Sequence, residues 1–412
     1  MKLYAALSAL LLATAPVAGA DTTWLASWSA SPQAVWSGDF ILPANVPARL
    51  HDQTVRQVAR VSVGGQRVRI VLSNAHGATP LQIGAVTLAL AGKRSAIEAG
   101  SLRTVRFSGR HTASIAPGAP LVSDPIALTV PDLARLTVSF HLPQDTALAT
   151  FHWDGRETAW IAPGQQTGAG SLDEASATTT TARLLLSSIQ VEASTATQAV
   201  AVLGDSITDG AGASLGRDTR WPDLLAERLA PHGVAVINAG ISGARLLADG
   251  MGANALARLE RDVLAQPGVR TVIVLLGIND ISWPGTAFDP HGRRPTLQEL
   301  TDGYRQLTAQ ARSHGVRVIG ATLTPFDGAL PGTPLADYHD AGKDELRQRL
   351  NAWIRSSGSF DGVLDADALL RDPAHPLRLL PAYDSGDHLH PGDAGNRALA
   401  DAVDLRTITE KP

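Results

Sequence analysis

The chain has 412 residues, 44% hydrophobic and 18% charged, with 38 glycines and a formal net charge of -4. This composition excludes a disordered chain, and the small charge without a run of one sign excludes the basic field that recruits nucleic acid or an anionic membrane. There is no cysteine, which removes disulfides, thiolate metal sites, a cysteine nucleophile and a lipid-modified cysteine anchor together.

Residues 1–20, MKLYAALSALLLATAPVAGA, set Lys2 ahead of an apolar stretch from Leu3 to Ala15, with small Ala18 and Ala20 before Asp21. This is the pattern of a cleaved secretory signal, and it predicts a secreted protein cut near Ala20. A membrane anchor is the alternative, but the stretch falls short of the roughly 20 residues a span requires, and Pro16 interrupts it.

From about Thr22 to Ala193 the chain consists of short segments with a period of two. In VSVGGQRVRIVLSN, Val61 and Val63 alternate with Ser62, Gly64-Gly65 suit a tight primed turn, and Val68, Ile70 and Leu72 resume the alternation. ARLTVSFHL, ALATFHW and ARLLLSSIQVEA repeat the pattern. Regularly spaced strands with Pro and Gly between them predict an all-β sandwich of jelly-roll type over 21–197. Trp24, Trp28, Trp36, Trp153 and Trp160 fall here; such rings either stack on sugars or pack inside the sandwich. The polar stretch ASTATQ, ending at Gln198, marks the boundary.

Beyond it the rhythm becomes strand then helix. AVAVLG, VAVINAG, VRTVIVLLG and VRVIGATLTP are continuous apolar runs, as expected of strands buried on both faces of a parallel sheet. WPDLLAERLAPHG, ANALARLERDVLAQPG, TLQELTDGYRQLTAQARSHG and KDELRQRLNAWIRSSG carry helical patterns. Residues 198–412 therefore read as a doubly wound α/β domain, whose ligands bind at the carboxyl ends of the strands.

Three of the apolar runs end in unusual polar turns: Gly204-Asp205-Ser206, the stretch from Asn238 to Gly243, and Gly277-Ile278-Asn279-Asp280. A serine hydroxyl attacks a carbonyl only if a base takes its proton and a carboxylate orients that base. DSGDHLHPGDAG, residues 384–395, offers both, with Asp387 and His390 three apart before a helix starting near Asp393. The oxyanion formed on attack needs preorganised donors, each worth about 3 kcal/mol; Gly240 N–H, the Asn279 amide and the Ser206 N–H can supply them. Asp205 reads as a turn-fixing residue, and Asn279 and Asp280 could instead cap a loop or helix.

GDSITDG, NAGISG, GIND and DHLHPGD resemble, in order and content, the SGNH hydrolases, the GDSL-type esterases and lipases. The resemblance covers about residues 199–405 and implies a flavodoxin-like fold without metal or organic cofactor. It also implies Ser206 as nucleophile, Asp387 and His390 as the rest of the triad, and Gly240 and Asn279 in the oxyanion hole. The segment from Ile281 to Pro295 is an insertion-like loop in which Trp283 is a candidate substrate contact. The expected substrate is a small-molecule or polysaccharide ester, with an acyl group on a carbohydrate first, a lipid ester second, and adhesion by an inactive hydrolase domain third.

Two rivals to this site are visible. Gly212 to Gly216, GASLG, matches the G-x-S-x-G elbow around Ser214, but no strand precedes it. Asp387, His388, His390 and Asp393 together could ligate a metal, which would leave Ser206 and Asn279 without a role. A P-loop reading of Gly204 to Gly216 lacks its lysine.

Overall fold

A computed structural model of the protein describes residues 23–36, 38–193 and 198–410; the leader-like segment 1–20 and most of the ASTATQ stretch lie outside them. The regular secondary structure of residues 23–193 is antiparallel strands, most of them in two principal sheets. One contains Trp24–Ser29, Leu186–Glu192, Gly65–Ser73 and Pro120–Val122, with Ile126–Val130 also pairing to Gly65–Ser73. The other runs in the order Thr178–Thr180, Ala159–Pro163, Gln53–Arg60, Arg135–Leu142, Val86–Leu90, Arg103–Thr104. Their alternating apolar residues, among them Ile70 and Leu72 from the first and Val138 and Phe140 from the second, share one core.

The hairpin expected around Gly64-Gly65 does not form. Gln53–Arg60 and Gly65–Ser73 belong to different sheets, and the chain between them crosses from one to the other. The reason lies in where the backbone donors go: Val61 N–H reaches Ala134 O, Ser62 N–H reaches Ser27 O, Val63 N–H reaches Ser27 Oγ and Gly64 N–H reaches Asp132 Oδ1. Four different long-range acceptors fix the crossing, and none is a hairpin partner.

Residues 198–410 form the doubly wound unit. Five parallel strands stand in the order Val234–Gly240, Gln198–Gly204, Val269–Leu275, Arg317–Ala321, Gly362–Leu364, that is, 2-1-3-4-5 in chain order, the flavodoxin-like arrangement. The helices Trp221–Leu229, Leu297–Ser313 and Ala341–Ser356 follow the predicted patterns, with the second started by a Thr296/Glu299 capping box. The pattern at 253–268 divides into an α-helix, Ala255–Leu259, and a π turn, Glu260–Leu264. Gly204 pairs in register with Gly240 and Leu275, so three strand ends finish level and present their following turns side by side.

Val234–Gly240 is an edge of this sheet, and the sandwich covers it. Val236 N–H donates to Ser62 Oγ at 2.9 Å, and Asn238 O accepts from Ser29 Oγ at 2.9 Å. Ala26 N–H also reaches Pro267 O at 2.9 Å. Buried side chains of both halves belong to a single apolar cluster. Among the sandwich tryptophans, Trp28 and Trp160 are buried core residues, whereas Trp36 and Trp153 are half-buried.

Leu25 is fully buried where the first strand packs on Gly268. Leu25→Ala should cost about 2–5 kcal/mol, and urea unfolding followed by tryptophan fluorescence and far-UV circular dichroism should show one transition, shifted equally for both probes. Separate midpoints would mean that the two halves do not share one cooperative core.

Candidate active site

Ser206 opens a four-residue helix, Ser206–Asp209, directly beyond the strand Gln198–Gly204. Asp205 caps it, accepting the Ile207 N–H at 3.1 Å, and Gly210 at φ +117° ends it. The half-buried Ser206 Oγ lies 2.8 Å from His390 Nε2, and His390 Nδ1 lies 2.6 Å from Asp387 Oδ2. Because a carboxylate only accepts, Nδ1 carries the proton and Nε2 is free to accept from the serine hydroxyl. The other Asp387 oxygen accepts the N–H groups of Leu389 at 3.0 Å and His390 at 2.8 Å. Burial alone would raise the Asp387 carboxyl, but the His390 hydrogen bond and charge with these two amides hold it well below the usual carboxylate range.

Asn279 is the second residue of the short helix Ile278–Ser282, beyond the end of the third strand. Its Nδ2 donates to Ala244 O at 3.0 Å, and its Oδ1 accepts from the buried Tyr338 hydroxyl at 2.6 Å. The Ala244 carbonyl can only accept, so the amide orientation is fixed and one Nδ2 hydrogen stays uncommitted. Asp280 accepts the N–H groups of Leu246 and Leu247 at 2.7 and 2.9 Å, which is the loop-holding role that the sequence left open.

Two expectations are corrected. The Gly240 N–H is already bonded to Asn238 Oδ1 at 2.8 Å, and a Cβ at this position would collide with the Asp209 backbone. Gly240 is a glycine because the Ser206 helix presses on it, and its amide cannot serve as an oxyanion donor as placed. Trp283 is only 2% exposed. It stacks on Phe288 at 4.5 Å and lies against Gly243 and Gly250, so it supports the turn after Gly240 and does not face a substrate.

That turn contains what the sequence reading missed. Ala244 N–H bonds to Ile241 O at 2.9 Å, with Gly243 at φ +71° in the third position, the conformation for which glycine is required. The Gly243 N–H has no hydrogen-bond partner among the described residues, and the next residue, Ala244, is the one whose carbonyl Asn279 contacts. The spacing NAGISG contains both glycines; only the fold distinguishes them. Tyr338 had no signal at all, because it lies in a loop without periodicity.

The rivals separate. Ser214 Oγ donates to Asp393 Oδ2 at 2.6 Å with no histidine between them. The four-residue cluster does not converge: His388 pairs with Asp384, His390 with Asp387, and Asp393 with Ser214 and Thr219.

Residues 202–398 match the family model described as GDSL-like Lipase/Acylhydrolase. The chain carries a GDSL-type acylhydrolase domain. The activity that belongs to this domain is carboxylic ester hydrolysis. Similar solved structures include the native aryl esterase of M. smegmatis, with 20% identity over 50% of this chain and 95% of that one at a TM-score of 0.41. A putative arylesterase from Agrobacterium tumefaciens str. C58 shows 24% identity over 50% and 95% at 0.37. A catalytic mutant of an acetylxylan esterase from Geobacillus stearothermophilus shows 25% identity over 52% and 94% at 0.38. No curated protein matches the chain.

Asp205 Oδ2 is buried without a partner among the described residues, and burial pushes this carboxyl up to about 7. A folded pKa above the unfolded value of about 3.9 means stability that is complete below that value and is lost as pH rises through the folded one. Wild type should therefore lose stability relative to Asp205→Asn, which retains a capping oxygen, between about pH 4 and pH 7. Thermal melts across that window check the sign, and parallel curves would reject it.

Proposed function

We propose that the protein is a secreted serine esterase in which Ser206 attacks the ester carbonyl, His390 takes the serine proton and Asp387 holds His390. The observation that carries this reading is the continuous hydrogen-bond chain from Asp387 through His390 to Ser206. As the Ser206 oxygen bonds to the carbonyl carbon, its proton passes to His390 Nε2. The imidazolium so formed is stabilised by Asp387, and it then gives the proton to the departing alcohol. Water repeats the sequence on the acyl-enzyme.

The developing oxyanion is held by the Ser206 N–H, the uncommitted Asn279 Nδ2 hydrogen and the Gly243 N–H, in place of Gly240. Each such donor contributes about 3 kcal/mol to the transition state. Tyr338 keeps the Asn279 amide turned toward the oxyanion.

The substrate proposed is an acyl ester on a carbohydrate. Supporting it are the leader-like segment 1–20, the fused sandwich, and the half-buried rings of Trp36 and Trp153, which pack in the same cluster as Met251, Tyr338 and Leu389 beside the site. Aromatic faces of this kind suit the apolar face of a sugar ring.

With p-nitrophenyl acetate and butyrate, Ser206→Ala should lower kcat by a factor on the order of 1,000 or more, while Ser214→Ala stays within about twofold of wild type. Full activity in Ser206→Ala would overturn the nucleophile assignment. Acetate release from acetylated xylan, without fatty-acid release from a lysophospholipid, is the expected substrate pattern. The reverse pattern would establish the lipid alternative.

A further inference from the structure

The helix that carries Ser206 ends at Asp209, and this buried carboxylate sits at the meeting point of the two halves of the molecule. Its Oδ2 accepts both the N–H and the hydroxyl of Ser242, at 2.9 and 2.7 Å. Its Oδ1 lies 2.8 Å from Nε2 of His152, which comes from the sandwich strand Thr150–His152. The other His152 nitrogen, Nδ1, lies 3.1 Å from the Ser31 carbonyl. A carboxylate and a carbonyl can only accept, so both ring nitrogens carry protons and His152 is an imidazolium. Burial by itself would drive that proton off, but the charge and hydrogen bond of Asp209 outweigh it and hold the histidine above its ordinary range, with Arg220 opposing. Asp209 is correspondingly held below the usual carboxylate range.

Ser242 is the second residue of the turn Ile241–Ala244, directly before Gly243. The sandwich supports that turn from a second direction as well. Gln33 Nε2 donates to Met251 O at 2.7 Å, and the Met251 side chain packs on Gly243. An ion pair buried this completely is costly to assemble unless its polar atoms are hydrogen-bonded; here both ring N–H groups and both carboxylate oxygens are engaged.

We infer that His152 and Asp209 are positioning residues for ester hydrolysis: the ion pair clamps Ser242, and through it sets the Gly243 N–H relative to Ser206. The sandwich is then a working part of the active site. This rests on the reading of Ser206 and Gly243 given above.

The test uses the full-length chain with p-nitrophenyl butyrate, active sites titrated, comparing Ser242→Ala, Asp209→Asn, His152→Gln and the His152→Gln/Asp209→Asn double variant. If the clamp aligns the oxyanion donors, kcat falls about three- to tenfold in Ser242→Ala and about tenfold or more in Asp209→Asn, with KM within about twofold. The double variant should be no slower than Asp209→Asn, because His152 acts only through Asp209. The rate of phosphorylation by diethyl p-nitrophenyl phosphate, whose phosphoryl oxygen uses the same donors, should fall in parallel. A purely structural pair would lower Tm and leave kcat per titrated site unchanged, and that result overturns the inference. Should Asp209→Asn fail to fold, Ser242→Ala decides alone, since it removes one hydroxyl and leaves the charges in place. Ser206→Ala in the same series distinguishes the two levels. If it stays active, the underlying reading fails; if it is dead while the clamp variants keep full kcat, only the clamp fails.

Discussion

The edge of the parallel sheet is the constraint on which the rest depends. An edge strand presents unpaired N–H and C=O groups, and in Val234–Gly240 these are buried, so they must find partners. Ser62 and Ser29 of the sandwich supply hydroxyls to Val236 and Asn238. The same strand then ends at Gly240, against the helix of Ser206. Satisfying the edge therefore ties the sandwich to the strand that leads into the Ile241–Ala244 turn beside Ser206, and it explains why the apolar cores of the two halves merge.

Two histidine–aspartate pairs flank the same short helix, and their difference lies in the second ring nitrogen. In His390 it meets the Ser206 hydroxyl, a group that can donate, so the neutral imidazole is satisfied. In His152 it meets the Ser31 carbonyl, which cannot donate, so the ring stays charged. One ring is neutral, and the other is charged. Similar residue chemistry yields a neutral imidazole in one place and an imidazolium in the other, decided by the group that meets the second ring nitrogen.

Three of the four motif blocks were legible in the sequence because each stands at the end of a continuous apolar run, and strand ends in a parallel sheet converge; the fourth, in the loop before Asp393–Ala402, was legible from its Asp and His three residues apart. Ser206 and Asn279 stand out by the first signal, and Asp387 and His390 by the second. Gly240 and Gly243 could not be told apart, since both lie in one six-residue block and the choice depends on which amide Asn238 already uses. Trp283 looked like a substrate contact because it interrupts a loop; its burial on Gly243 is a packing fact invisible in one dimension. The Val61–Gly64 stretch reads as the start of a hairpin, yet its donors go to Ala134, Ser27 and Asp132, partners that local pattern cannot reveal.

By itself, the sequence determined the parallel sheet, the all-β front half and the order of the chemistry-bearing turns, because these follow from local periodicity and from the order of residues along the chain. Only the tertiary structure decided which glycine offers a free N–H, which way Asn279 turns under Tyr338, and that His152 reaches Asp209 across 57 residues of chain. These depend on which donors and acceptors are left over once distant segments have packed. A sequence does not state that remainder; the folded chain does.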